Sequence, residues 1–345
     1  MKTNTLIALS ALPSLGLALS TGPTKQPGLN SLMEKRGKLY FGTINEVNYL
    51  NDTKHTAILS NRNEFGQITP ENSQKFAATE PQRGVFNFTN ADRLVDRALA
   101  RGQEVRCHNL VWYNGLPEWL TLGTWDRPTL LDIMENHIKH VVQHYRGRCY
   151  AWDVVNEAFN EDGSYRDTIW YKTIGPEYIP LAYELAAKYD PMAKLYYNDY
   201  GIEFVNNKSV ASARLVQDLR AQGVKLDGVG LQGHLPAIQS PNYDDQMAGL
   251  KLFTDLGVEV AYTELDVFIQ MPNNAAKTAQ QAQAYVDTLR ACLDTPKCAG
   301  ITLWGFYDPY SWVWEGVPGF GDPCLWDARY NKKPVYDEMA KVLKQ

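Results

Sequence analysis

The sequence predicts an α/β chain folded as a single (β/α)8 TIM barrel. Three observations point there. Eight short apolar runs recur along the 345 residues, each closed by polar residues. Amphipathic stretches at helical spacing lie between them. No glycine-rich phosphate loop follows the first run, which argues against an open doubly wound sheet. Runs that stay apolar instead of alternating suit strands covered on both faces. Strand followed by helix, eight times over, gives a sheet that closes on itself.

In order, the runs are "KLYFGTINE" (38–46), "FGQITPEN" (65–72), "EVRCHNLVW" (104–112) and "CYAWDVVNE" (149–157), then "AKLYYNDY" (193–200), "LDGVGLQGH" (226–234), "EVAYTELD" (259–266) and "GITLWGFYD" (300–308). Among the intervening stretches, "NADRLVDRALARG", "ASARLVQDLRAQG" and "YDDQMAGLKLFTDLG" carry apolar residues at helical spacing and stop on glycine. No Gly/Ser/Thr-rich linker and no appended module interrupts the pattern, so residues 21–345 read as one domain.

Composition narrows the function. With 44% hydrophobic and 21% charged residues, the chain has the make-up of a globular protein with a large core. A net charge of −5 without any basic run excludes a nucleic-acid partner. Nine Trp and twenty Tyr supply core, and also flat surfaces on which the apolar faces of sugar rings stack.

Residues 1–20 read as a cleaved signal peptide: Lys2 gives the charge, "LIALSALPSLGLALS" the apolar region and Ala18-Leu19-Ser20 the cleavage site. That region is too short to span a bilayer, so no membrane anchor is expected and the protein is secreted. Lys35-Arg36 reads as the charged end of a helix. Secretion gives the five Cys meaning. Cys292 and Cys298 bracket "CLDTPKC" and read as a disulfide, whereas the pairing of Cys107, Cys149 and Cys324 stays open and the odd count leaves a thiol over. No Cys/His spacing suggests a metal, and no cofactor is implied. Asn51, Asn87 and Asn207 head N-glycosylation sequons.

A barrel places its active site at the C-terminal ends of its strands. Those ends carry Glu46, Glu71-Asn72, His108-Asn109, Asn156-Glu157, Asn198-Asp199, Gln232, His234, Glu264, Asp266 and Trp304. No Ser-His-Asp order, HExxH motif or phosphate loop accompanies them. Carboxylates, amides, imidazoles and indoles suit glycoside hydrolysis, which needs one protonated and one ionised acid. Glu157 closes the fourth strand in "WDVVNEA" and Glu264 the seventh in "VEVAYTELD", so the two face each other across the mouth. Asn156 is placed to bond a sugar hydroxyl, and His234 to hold Glu264 ionised. Asn198 and Asp199, with Asn45 and Glu46, read as strand-end polars that orient loops.

Taken together, "TPENSQKF", "RCHNLVW", "WDVVNEA", "YNDY", "GVGLQGH", "AYTELD" and "TLWGFYDPYSW" resemble glycoside hydrolase family 10, the retaining endo-β-1,4-xylanases, in its secreted fungal form. The resemblance runs from about residue 28 to the C-terminus, with all seven motifs in order. It implies Glu157 as acid/base and Glu264 as nucleophile, supported by His234, Asp266 and Asn156. It implies Glu71, Asn72, Lys75, His108, Trp112, Gln232, Trp304 and Trp312 as substrate-binding residues. The implied reaction is double displacement across carboxyl groups about 5–5.5 Å apart. The substrate is then a polysaccharide or glycoside and the enzyme a monomer.

Several positions depart from that family's pattern. Tyr113 stands for a His, Gly115 for a Gln, Gln74 for a Met, Phe76 for a Trp, Phe268 for an Arg and Gly201 for an Asn. All are expected to bear on what fits the cleft and none to touch the catalytic pair. An added rim aromatic and a missing amide suit a bulky apolar aglycone. They keep two alternatives open beside xylan: a tomatinase-like glycosidase acting on a plant saponin, and a catalytically silent carbohydrate-binding or effector protein.

Overall fold

The computed structural model describes Met1 and residues 27–345. The expected signal peptide, residues 1–20, lies outside the described residues apart from Met1. Eight parallel strands form the barrel: β1 (Tyr40–Asn45), β2 (Gln67–Pro70), β3 (Glu104–Val111), β4 (Ala151–Asn156), β5 (Lys194–Asp199), β6 (Gly228–Leu231), β7 (Glu259–Gln270) and β8 (Cys298–Leu303). Each pairs with the next in sequence order. β8 returns to β1 through Gly42↔Thr302 and its flanking pairs, which closes the sheet.

The helices Thr53–Leu59, Thr89–Leu99, Arg127–His144, Tyr178–Tyr189, Asn207–Ala221, Tyr243–Thr254, Ala275–Asp294 and Pro334–Leu343 each follow one strand. Their starts are chemical. Asp52, Asp126, Asn206, Asn242 and Asn274 each accept a backbone N–H of the first turn. Gly223, at φ 74°, ends the helix from Asn207 in the left-handed conformation that a side chain disfavours. Lys35 ends the helix Leu29–Lys35, as its charged sequence suggested.

The strands are not apolar on both faces. Outward residues such as Phe41, Trp152, Leu195, Val260 and Ile301 pack against the helices. The lumen is polar. Thr263 of β7 donates to Asn198 of β5 at 2.6 Å, and Thr302 of β8 to Gln67 of β2 at 2.6 Å. Each bond skips an intervening strand and so crosses the interior. Gly230 makes the first crossing possible, since a Cβ there would lie 2.2 Å from the Asn198 amide oxygen. Lower down, Arg106 is fully buried, grips Asp153 with two nitrogens and stacks over the Tyr196 ring at 4.2 Å.

Three strand limits differ from those read in the sequence. β7 continues past Glu264 to Gln270, because its end pairs with the short strands His234–Pro236 and Phe320–Gly321. For the same reason His234 lies beyond β6, on that first short strand. The run ending "WGFYD" leaves the sheet at Leu303.

The Cys292–Cys298 disulfide is present, with Cα atoms 5.3 Å apart. Cys107 pairs with Cys149, and Cys324 is the free thiol, buried. The sequon residues Asn51, Asn87 and Asn207 are all exposed. Among the described residues no helix is long and apolar enough to cross a membrane.

Arg106 and Asp153 sit where neither charge reaches water. Arg106→Leu therefore strands a buried carboxylate and should lower unfolding free energy by about 3–5 kcal/mol in a urea titration.

Candidate active site

The polar ends of the strands converge on one cleft of about 470 Å³ at the C-terminal mouth. Glu71, Asn72, Lys75, His108, Trp112, Asn156, Glu157, Gln232, His234, Glu264, Trp304 and Trp312 all line it. Asp266 lies just beneath, reached through His234.

Glu264 projects from the middle of β7. His234 Nε2 is 3.2 Å from its Oε2, and His234 Nδ1 is 3.0 Å from Asp266 Oδ1. The Trp312 indole donates to the other Asp266 oxygen at 2.7 Å. Burial by itself would lower the His234 pKa, but Asp266 and Glu264 outweigh it and hold the imidazole charged well above its usual range. Burial would likewise raise Glu264. The His234 hydrogen bond and the fields of His108 and His234 prevail, so its carboxyl stays below the usual range. Glu264 is thus a buried, ionised acid.

Glu157 follows β4 directly and adopts φ 56°, a left-handed backbone that a non-glycine residue holds only where its surroundings enforce it. Its N–H donates to Asn198 O at 2.9 Å and its carbonyl accepts from Arg166 Nε at 3.1 Å. Its Oε1 accepts from Gln232 at 2.9 Å and from Asn156 at 3.2 Å. The Asn198 amide donates to both Asn156 Oδ1 (2.8 Å) and Glu264 Oε1 (2.7 Å). A short chain of amides therefore links the two acids, which stand on one rim as the sequence predicts.

One flank is built by the loop after β2. Glu46 accepts the N–H groups of Asn72 (2.9 Å) and Ser73 (3.0 Å), folding that loop inward. Lys75 donates to Asn72 Oδ1 at 2.7 Å and stands 5.1 Å from the centre of the Trp112 ring. Glu71 is pushed up to about 7 by burial, against the pull of Lys75. His108 bonds Asp153 at 2.9 Å, which ties the cleft to the Arg106 pair below. Among the described residues no cluster of three or more His, Cys, Asp or Glu is placed to hold a metal.

Some expectations are corrected. Asn198 is no loop-orienting polar, since it touches Glu264; Asp199, bonded to Tyr197, Lys208 and the Tyr200 N–H, is one. Of the departing positions, Gln74 and Phe76 are buried behind the cleft wall, Phe76 stacked on His137 with centroids 3.4 Å apart. Phe268 packs on Phe320 and Gly201 faces Glu161, so neither shapes the cleft. Gly115 lies behind Lys75 and Trp112. Tyr113 does line the cleft, and burial together with the Glu157 charge pushes its hydroxyl up to about 12. It therefore stands on the Glu157 side of the cleft, contrary to the expectation that no departing position nears the catalytic pair.

Sequence reasoning missed Tyr200, Asn114 and Arg166. Tyr200 ends the "YNDY" run, a signal of the same kind as the others. Arg166 sits in a loop without any pattern, yet it fixes the Glu157 backbone and reaches Tyr200 Oη at 3.0 Å.

An acid kept ionised opposite a second acid, at the C-terminal mouth of a (β/α)8 barrel, is the equipment of a glycoside hydrolase. The sequence profile of glycosyl hydrolase family 10 matches residues 28–342, and the chain belongs to that family. "Endo-1,4-beta-xylanase D" of Talaromyces funiculosus is 46% identical over 328 residues, covering 95% of this chain and 80% of that protein. A family 10 xylanase from Bispora sp. MEY-1, solved with xylobiose, superposes with a TM-score of 0.89 at 42% identity, covering 91% of this chain and 99% of that one. Xylanase 10B from Thermotoga petrophila, also with xylobiose, gives a TM-score of 0.90 at 39% identity, covering 94% and 99%.

His234 keeps Glu264 ionised in acid, so His234→Asn removes that support and raises the Glu264 pKa. The acidic limb of the kcat/KM–pH profile should move to higher pH, measured on a soluble glycoside.

Proposed function

We propose that the protein is a secreted, monomeric, retaining endo-β-1,4-xylanase. The observation that carries this reading is the pairing of an ionised Glu264 with Glu157 across one cleft. Glu157 protonates the glycosidic oxygen while the Glu264 carboxylate attacks the anomeric carbon. The bond to the leaving chain breaks and a glycosyl ester forms on Glu264. Glu157, now ionised, takes a proton from water; the water oxygen attacks the same carbon, and Glu264 departs. Two inversions give net retention.

Glu71, Asn72 and Lys75 bond hydroxyls on the glycone side. His108, Asn156 and Gln232 surround the reacting ring, and Trp112, Trp304 and Trp312 wall it in. Xylan as substrate is supported by what the relatives are named for, and secretion by the two disulfides and the N-terminal apolar region. The exposed edge of Tyr113 favours one competing reading, a saponin with an apolar aglycone.

Incubation with xylan and with a tomatine-type saponin decides between them: release of xylo-oligosaccharides from xylan is expected, and cleavage of the saponin alone would overturn the reading. Glu157→Gln and Glu264→Gln should each lower kcat/KM on xylan by at least about 10³-fold. Turnover equal to that of the unaltered chain in both variants would mean the acids do not perform the reaction.

A further inference from the structure

Two of the indoles in the loop between β8 and the last helix, Trp312 and Trp314, point to different places. Trp312 lines the cleft. Trp314, two residues on, is 44% exposed and borders a separate hollow of about 610 Å³. The hollow shares no lining residue with the cleft.

Trp314 is not loosely exposed. Its Nε1 donates to Asp308 O at 2.8 Å. Its six-membered ring lies against Gly321, where an added Cβ would fall 2.4 Å from two of its carbons. The glycine thus makes room for the ring, which is fixed at one end and along one side while the remainder meets solvent.

Around the indole stand groups that bond hydroxyls. Asn273 and Asp322 are joined at 3.0 Å on one wall, and the exposed guanidinium of Arg329 stands on another. The floor is rigid, because Lys333 pairs with Asp308 at 3.0 Å and donates to Asp322 O at 2.7 Å. The cleft also sets indoles beside amides and carboxylates, and a fixed indole with an amide, a carboxylate and a guanidinium suits the apolar face and equatorial hydroxyls of a pyranose.

We propose that this hollow is a second, non-catalytic binding site for a β-linked xylan chain. The inference rests on xylan as substrate. A polymer presents the same ring many times over, so a chain held at Trp314 raises the local concentration of its bonds at the cleft. A substrate of two rings gains nothing from the second site. The site therefore acts on polymer affinity and leaves the chemical step alone.

The test compares soluble long-chain xylan with an aryl β-xylobioside. Trp314→Ala should raise KM on xylan about three- to tenfold, with kcat on xylan and both constants on the aryl xylobioside within about twofold. Trp314→Tyr should recover most of the loss. Arg329→Ala, an exposed change with little bearing on folding, should raise KM on xylan in the same selective way. Unchanged KM on xylan in both Trp314→Ala and Arg329→Ala, or equal losses on both substrates, would overturn the second site while leaving the proposed activity intact. Failure of the unaltered chain to cleave either substrate would overturn the activity, and this site with it.

Discussion

The chain of charges from Asp266 through His234 to Glu264 is the interaction that the rest of the structure serves. A carboxylate taken out of water tends to become neutral, and a neutral Glu264 attacks nothing. The protein prevents this with a charged imidazole clamped between two acids, and it secures Asp266 in turn through the Trp312 indole. The arrangement needs β7 to run on past Glu264, so that the short strand His234–Pro236 can pair beside Asp266. The overlong strand and the isolated short one are therefore part of the site.

The second acid is placed by different means. Glu157 gains its direction from a left-handed backbone held on both sides by hydrogen bonds, to Asn198 before it and Arg166 after it. Asn198 also donates its side-chain amide to Glu264, so one residue sets the orientation of both acids. That amide is anchored in turn by Thr263 across the lumen. Beside it, the Arg106–Asp153 pair reaches the cleft through His108. A polar interior thus gives the rim a rigid base, at the cost of desolvating charges that must all find partners.

Much of this was legible in the residues, and the reasons differ from place to place. Glu157 and Glu264 stood out because an acid after an apolar run is conspicuous, and a barrel gathers such ends. The lumen was hidden for the opposite reason: Arg106, Asp153 and Asn198 sit inside runs whose outward residues are so apolar that no alternation shows. Asn198 therefore reads as a strand-end polar that orients a loop, when its contact is Glu264. Arg166 could not be found, because it holds Glu157 through a backbone carbonyl, which carries no sequence signal. The limits of β7 depended on pairing with distant loops, and composition does not encode that. Substituted positions misled where burial was unknown: Gln74 and Phe76 lie behind the wall, whereas Tyr113 alone of the substituted positions lines the cleft beside a catalytic acid.

The central claim is that Glu264 is the ionised nucleophile. Brief reaction with a 2-deoxy-2-fluoro xylobioside bearing a good leaving group, followed by peptide mass analysis, tests it most directly. The account predicts one xylobiosyl adduct, on the peptide containing Glu264. An adduct on Glu157, or steady hydrolysis with no labelled peptide at any time, would contradict it.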